Sequence, residues 1–226
     1  MGKFLEILTS LFSGQKRYSQ KKDSHFFKKF LTKQTPYITL LTCSDSRVQS
    51  EIFGIDPTNA IFCVRNIGNQ LINNLGSVDY GIIHLQTPLL IILGHVRCGA
   101  VTAALGDYSE ENTTVIGELN GLCIPIRRTL EDNRENFELQ VERAVLENMH
   151  YQVDLAVRRY RDRIERGKLT VIGAVYDFGN FYGKGFGRVL PVNVNGKKSV
   201  KEILERVDKK EKAAWENFLK ENFLEV

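Results

Sequence analysis

Long hydrophobic runs are missing from this chain. No window approaches the roughly 18 consecutive apolar residues that a membrane-spanning helix needs. The apolar run nearest the N-terminus, Phe4 to Phe12, is interrupted by Glu6 and followed by no small-residue cleavage pattern, so no secretory signal is expected. Proline is scarce, five residues in 226, and no Pro-, Gly- or Ser-rich stretch, repeat or low-complexity segment separates one module from another. The chain is therefore read as one domain over residues 1–226, with a helical arm over 1–35 and an α/β core with C-terminal helices over 36–226. Four cysteines are too few for a disulfide framework in a chain of this length. They read as ligands or packed thiols in a reducing compartment, so a soluble, cytoplasmic protein is expected. Neither sign of charge dominates: 31 basic side chains stand against 27 acidic ones, a formal net charge of +4. That mild excess attracts small anions and falls short of a nucleic-acid footprint, so neither nucleic acid nor a membrane is expected as a partner. The local run of Lys21, Lys22, Lys28, Lys29 and Lys33 around Phe26, Phe27 and Phe30 reads as the solvated face of a helix.

What the chain does have is 42% hydrophobic residues, enough for a substantial core, gathered into short runs. Tyr37 to Cys43, Ala60 to Val64, Leu89 to Gly94 and Leu169 to Tyr176 are apolar and rich in branched or aromatic side chains, the pattern of strands covered on both faces. Arg188 to Val194 is a weaker fifth. Helical patterns lie between them. Ser77 reads as the cap of a helix with Val78, Ile82, Ile83 and Leu85 on one side. Further helices are expected over Asp23 to Thr32, Gly99 to Leu105, much of Glu131 to Arg166, and Ser199 to Phe223, the last with Val200, Ile203, Leu204, Val207, Trp215 and Leu219 as its stripe. Alternating strands and helices predict an α/β fold: a mostly parallel central sheet flanked by helices, with an N-terminal helical arm and a C-terminal helix.

Two segments carry the chemistry. Cys43-Ser44-Asp45-Ser46-Arg47 ends one predicted strand and His95-Val96-Arg97-Cys98-Gly99 follows another. Ligands gather beyond the carboxyl ends of strands in open α/β sheets, so the separation of 52 positions from Cys43 to His95 is no obstacle to their meeting. Two thiols, an imidazole and a carboxylate suit zinc. Cys98 gains further help toward thiolate from the helix start that follows it. Asp45 can ligate the metal, or turn away and accept a bidentate pair from Arg47, which leaves the fourth position to water. One carboxylate would then switch the site between closed and open. Spacing alone also permits a closed, purely structural zinc.

The residues Cys43-Ser44-Asp45-Ser46-Arg47-Val48, Arg65-Asn66-Ile67-Gly68-Asn69, Ser77-Val78-Asp79-Tyr80 and Gly94-His95-Val96-Arg97-Cys98-Gly99 resemble, in order as well as type, the motifs of the β-class carbonic anhydrases. The likeness is dense from Gln34 to Leu105, and Gly173-Ala174-Val175-Tyr176-Asp177 looks like the family's later strand motif. The resemblance implies zinc held by Cys43, His95 and Cys98 with water or Asp45 in fourth place, and an Asp45/Arg47 dyad controlling that position. It implies reversible hydration of carbon dioxide to bicarbonate and a proton by zinc-bound hydroxide, in a homodimer or larger homo-oligomer with sites near the subunit interface. Gln34 matches a substrate-bonding glutamine of the plant-like members, Phe62 and Tyr80 match aromatic residues walling the substrate pocket, and backbone amides near Gly99 can orient a substrate oxygen.

The chain also departs from the pattern. Asp79 stands where Glu is common, Gly81 where Ala is usual, and Leu40 and Thr42 replace the Trp and Gly of members with a noncatalytic bicarbonate site, so that site is not expected here. Gly179 to Gly187 has no family counterpart and no assigned role. Cys63 and Cys123 read as packed thiols, and His25, His84 and His150 lie outside any ligand pattern. Two other functions compete with carbon dioxide hydration: hydrolysis of carbonyl sulfide or carbon disulfide on the same fold and metal, and a nonenzymatic zinc-stabilised interaction protein. The Arg47 partner argues against the last, since a closed site has no need of an arginine that competes for its ligand.

Overall fold

The computed structural model describes residues 2–127, 129 and 136–225. They form two compact units, one ending at Thr35 and one beginning at Pro36. The first holds α1 (Lys3–Lys21), in which no residue is buried, and α2 (Ser24–Lys28). Asp23 caps α2 by accepting from the Phe26 N–H at 2.7 Å. The helix expected over Asp23 to Thr32 stops at Lys28 because, with one cap and no buried face, nothing sustains it further.

The second unit is built on β1 (Ile38–Cys43), β2 (Ile61–Asn66), β3 (Leu89–His95), β4 (Thr170–Asp177) and β5 (Arg188–Val194). They lie in the order β2-β1-β3-β4-β5, the first four parallel and β5 antiparallel at one edge. All five expected strands occur. In register, Thr42 faces Leu93 across β1 and β3, and Cys43 faces Asn66 across β1 and β2, so Cys43 and His95 reach the same end of the sheet.

Helices α3 (Leu75–Asp79), α4 (Gly99–Leu105), α5 (Thr113–Asn120), α6 (Cys123–Arg127), α7 (Phe137–Arg159) and α8 (Arg161–Glu165) precede β4. α9 (Val200–Leu204) and α10 (Lys212–Asn222) follow β5. The main core packs Leu41, Leu90, Ile92, Val171 and Val175 of the sheet with Val145, Met149 and Val153 of α7. Gly173 permits that approach, since a Cβ there would sit 2.1 Å from Met149 Sδ and 2.7 Å from Val153 Cγ2.

Three expectations are corrected. β1 and β3 are covered on both faces, but β2 is an edge strand, and Cys63 on it is exposed rather than packed; Cys123 is half-buried. Ser77 lies inside α3 instead of capping it, and the chain then widens into a π turn over Tyr80–His84. Val78 and Ile82 are buried as expected, while that wider turn leaves Ile83 exposed. The helix expected over Ser199 to Phe223 is two helices, α9 capped by Ser199 and α10. Its apolar stripe holds because Ile203 and Leu219 bury in one cluster, with Val200, Leu204, Val207 and Trp215 packed against it. The helical region expected over much of Glu131 to Arg166 does occur, as α7 and α8 parted at Tyr160, with residues 131–135 outside the described ones.

Candidate metal centre

β1 and β3 end in adjacent turns, and these deliver Cys43, His95 and Cys98 to one point. Their ligand atoms all lie within 4.8 Å of one another, and the three residues are 3%, 0% and 1% exposed. His95 Nδ1 lies 3.0 Å from the Val96 carbonyl. A carbonyl only accepts, so Nδ1 carries the proton and Nε2 the lone pair. Nε2 is buried and has no hydrogen-bond partner, a costly state that a metal ion would relieve. The donor set therefore fits zinc by type, burial and tautomer.

The two sulfurs are electrostatically unequal. Hydrogen bonding from the Cys98 thiol, helped by the Gly68 N–H at 3.4 Å, lowers the Cys43 thiol to about 4 against the opposing cost of burial. Its hydrogen bond to Cys43, and then burial, push Cys98 well above the usual thiol range. The pair shares one negative charge more readily than two, and a dication removes that conflict.

Asp45 and Arg47 stand on the loop leaving β1. Arg47 Nε donates to Asp45 Oδ1 at 2.9 Å, Nη2 to Oδ2 at 2.7 Å, and the Arg47 backbone N–H to Oδ1 at 2.9 Å. That fork holds the Asp45 carboxyl well below the usual carboxylate range. Asp45 Oδ2 lies 3.7 Å from His95 Nε2, so the pair borders the three-residue set.

Sequence reasoning missed three supports of this site. Arg65 Nη2 donates to the carbonyls of Cys43, Asp45 and Val48 at 2.9, 3.0 and 2.5 Å, and Nη1 to Gln49 Oε1 at 3.0 Å, which sets the path of the whole loop. A lone arginine interrupting an apolar strand near its carboxyl end was the available signal. Glu142, buried on α7, accepts from the Arg97 N–H at 2.8 Å and steadies Arg97 at φ 53°, a left-handed conformation between His95 and Cys98. Phe178 stacks on the His95 ring at 6.2 Å and 28°, and no local pattern marked it.

The remaining predicted site residues are not all brought here. Gly99 opens α4 beside Cys98 and faces open space. Phe62 and Tyr80 do pair, with ring centroids 5.7 Å apart. In register, however, Phe62 faces Thr39, four residues before Cys43, about 13 Å along the strand at its usual rise. Gln34 is exposed in the N-terminal unit. Of the family departures, Asp79 receives the Arg159 guanidinium and the Tyr160 hydroxyl, at 2.8 Å each on Oδ1. At Gly81 a Cβ would meet Thr39 Oγ1 at 2.3 Å.

A protein-family profile described as carbonic anhydrase matches residues 38–184, the span that contains every residue of the centre. The chain belongs to the β-carbonic anhydrase family of enzymes. It is 29% identical over 147 residues to carbonic anhydrase 2 of Mycobacterium tuberculosis, covering 63% of this chain and 70% of that one. It is 32% identical over 150 residues to a carbonic anhydrase of Emericella nidulans, covering 60% and 63%. Among solved structures, a tetrameric β-carbonic anhydrase of Sordaria macrospora superposes with a TM-score of 0.72 at 25% identity, covering 85% of this chain and 98% of that one. In this family context the Cys43, His95 and Cys98 group is a place that could hold a metal ion. Among the described residues no helix is long and apolar enough to cross a membrane.

Proposed function

We propose that this member of the family catalyses the reversible hydration of carbon dioxide to bicarbonate and a proton, with zinc held by Cys43, His95 and Cys98. The observation that carries the reading is the buried two-sulfur, one-nitrogen set with its unpartnered Nε2, bordered by the Asp45/Arg47 fork. Zinc held there supplies the Lewis acidity that makes water nucleophilic near neutral pH. Asp45, kept ionised by Arg47, offers only acceptor lone pairs, so it can take a proton from a water in the site or fix that water's orientation. Arg47 competes with the metal for the same carboxylate, and Asp45 becomes the candidate fourth ligand when it leaves the fork. The backbone amide of Gly99 is a donor for a substrate oxygen.

Carbon dioxide is small and apolar and calls for an aromatic wall. Phe62 and Tyr80 form one at the other end of the sheet, so the reading requires a homodimer or larger homo-oligomer in which a second copy brings its rings to this chain's centre; Gln34 is proposed separately as an amide donor to substrate. The tetrameric Sordaria structure supports that assembly. Four free cysteines suit a reducing compartment, and the cytoplasm is the proposed location. Stopped-flow proton release combined with zinc analysis tests the reading. About one zinc per chain, as a single site requires, and carbon dioxide hydration at neutral to alkaline pH are expected; zinc-replete protein inactive across that range overturns it.

A further inference from the structure

The segment from Phe178 to Gly187 joins β4 to β5, and its conformation is set by one side chain. Asp177, the last residue of β4, is fully buried. Its Oδ1 accepts from the N–H groups of Gly179 at 3.2 Å and Phe181 at 2.9 Å, and its Oδ2 from Tyr182 at 2.9 Å. The far end of the loop returns to the same residue, Gly187 N–H donating to the Asp177 carbonyl at 2.8 Å. Asn180 closes the interior by accepting from the Gly185 N–H at 2.7 Å. Asn180, Gly183, Gly185 and Gly187 all have positive φ, between 56° and 102°, conformations that glycine, and less often asparagine, adopt without much cost. The loop is thus a closed hook on a buried carboxylate.

The hook carries Phe178 into the site. The ring lies 4.8 Å from the Arg47 guanidinium carbon and 6.2 Å from the His95 ring, and is itself held edge-on by Tyr176 at 5.7 Å. The Arg47 side chain is 49% exposed. An arginine that open pays rotamer entropy and water competition for every hold on a carboxylate. A ring over the face of the guanidinium restricts it and adds a cation–π attraction.

We propose that Phe178 is a positioning residue for the reaction: presented by the Asp177-anchored loop, it keeps the Arg47 guanidinium in its fork on Asp45 and covers one side of His95 against water. The inference rests on the carbonic anhydrase reading, and its test is read separately from it. In the full-length, zinc-loaded protein, exchange of the Arg47 Nε proton is followed by NMR, the signal being assigned by its loss in Arg47→Lys. Phe178→Leu should speed that exchange about tenfold, the scale of a modest cation–π contact. It should lower kcat severalfold while KM and zinc content stay near the parent values, and Phe178→Trp should restore both. Asp177→Asn, which leaves the ring in place and loosens its hook, should act in the same direction and more weakly; it also serves if Phe178→Leu folds poorly. Unchanged Arg47 Nε exchange in a folded, zinc-replete variant overturns the proposal. A parent protein without activity overturns the function reading and leaves the exchange comparison to decide this one.

Discussion

The two ends of the parallel sheet are made from the same strands and come out differently. At the carboxyl end, β1, β3 and β4 finish in Cys43, His95 and Asp177, all buried, and the turns beyond them are fixed by hydrogen bonds that Arg65 donates and that Glu142 and Asp177 accept. At the amino end, Phe62, Tyr80 and His84 form a line of rings, 5.7 and 4.5 Å apart, beside exposed Ile83. The carboxyl end is tied together by the hydrogen bonds of its turns; at the amino end Tyr80 and Ile83 are exposed. The difference is that the Cys43, His95 and Cys98 group is completed within one chain, whereas the substrate wall proposed for Phe62 and Tyr80 calls for a second copy. Four parallel strands set the two proposed halves of the pocket at opposite ends of the sheet, where pairing of copies would join them.

The comparison breaks most severely if the carboxyl end is not self-sufficient. Cys43→Ala should weaken zinc binding by at least about a hundredfold, the upper range for losses among outer supports of such sites, and should lower thermal stability because metal binding stabilises the folded state. Chelator competition measures the first, and full zinc occupancy would remove Cys43 from the centre. Asp45→Ala should keep its zinc and lose roughly a hundredfold in turnover, the lower range for a positioned proton acceptor; parental turnover would end the dyad mechanism.

Between the ends, α7 carries His150, buried against Asn193 at 3.1 Å and lowered by burial to about 4. Its folded pKa lies below its unfolded value near 6.5, so the unfolded chain binds the extra proton first. The resulting stability is present above pH 6.5 and is lost as pH falls toward 4, on the order of 3 kcal/mol in all. Urea midpoints across that range should show the loss, and His150→Leu should flatten it. At the amino end, Gly81→Ala drives a Cβ against Thr39 Oγ1 and should cost about 1–3 kcal/mol with zinc affinity unchanged. The gentlest test is Tyr80→Ala, which should retain zinc and raise KM about threefold to tenfold with kcat less affected, as loss of substrate contact does. Mixed assemblies of Cys43→Ala and Tyr80→Ala subunits should recover a share of parental sites; no recovery would mean that the rings do not serve the partner's centre.

The strands were legible because β1, β3 and β4 are near-continuous apolar runs, and the metal set because thiol, imidazole and carboxylate stand where strands end. The edge position of β2 was not legible: an apolar strand reads the same whether one or two neighbours flank it, so Cys63 was expected inside. Nor was the break between α9 and α10, since both helices press the same cluster of Ile203 and Leu219 and so preserve one periodic stripe across the gap. Phe178 escaped notice because its role depends on a loop folding back to residues about 80 and 130 positions earlier, a closeness that no local spacing encodes.

By itself the sequence determined the donor chemistry, the α/β alternation and the end of the sheet at which the donors must meet, because residue type and strand direction are local properties. Tertiary structure alone decided that His95 offers Nε2, that Asp45 rests in Arg47's fork, and that Phe62 and Tyr80 stand apart from the centre. Those outcomes depend on register and on which backbone carbonyls and side chains arrive from distant turns, and only the folded chain brings them together.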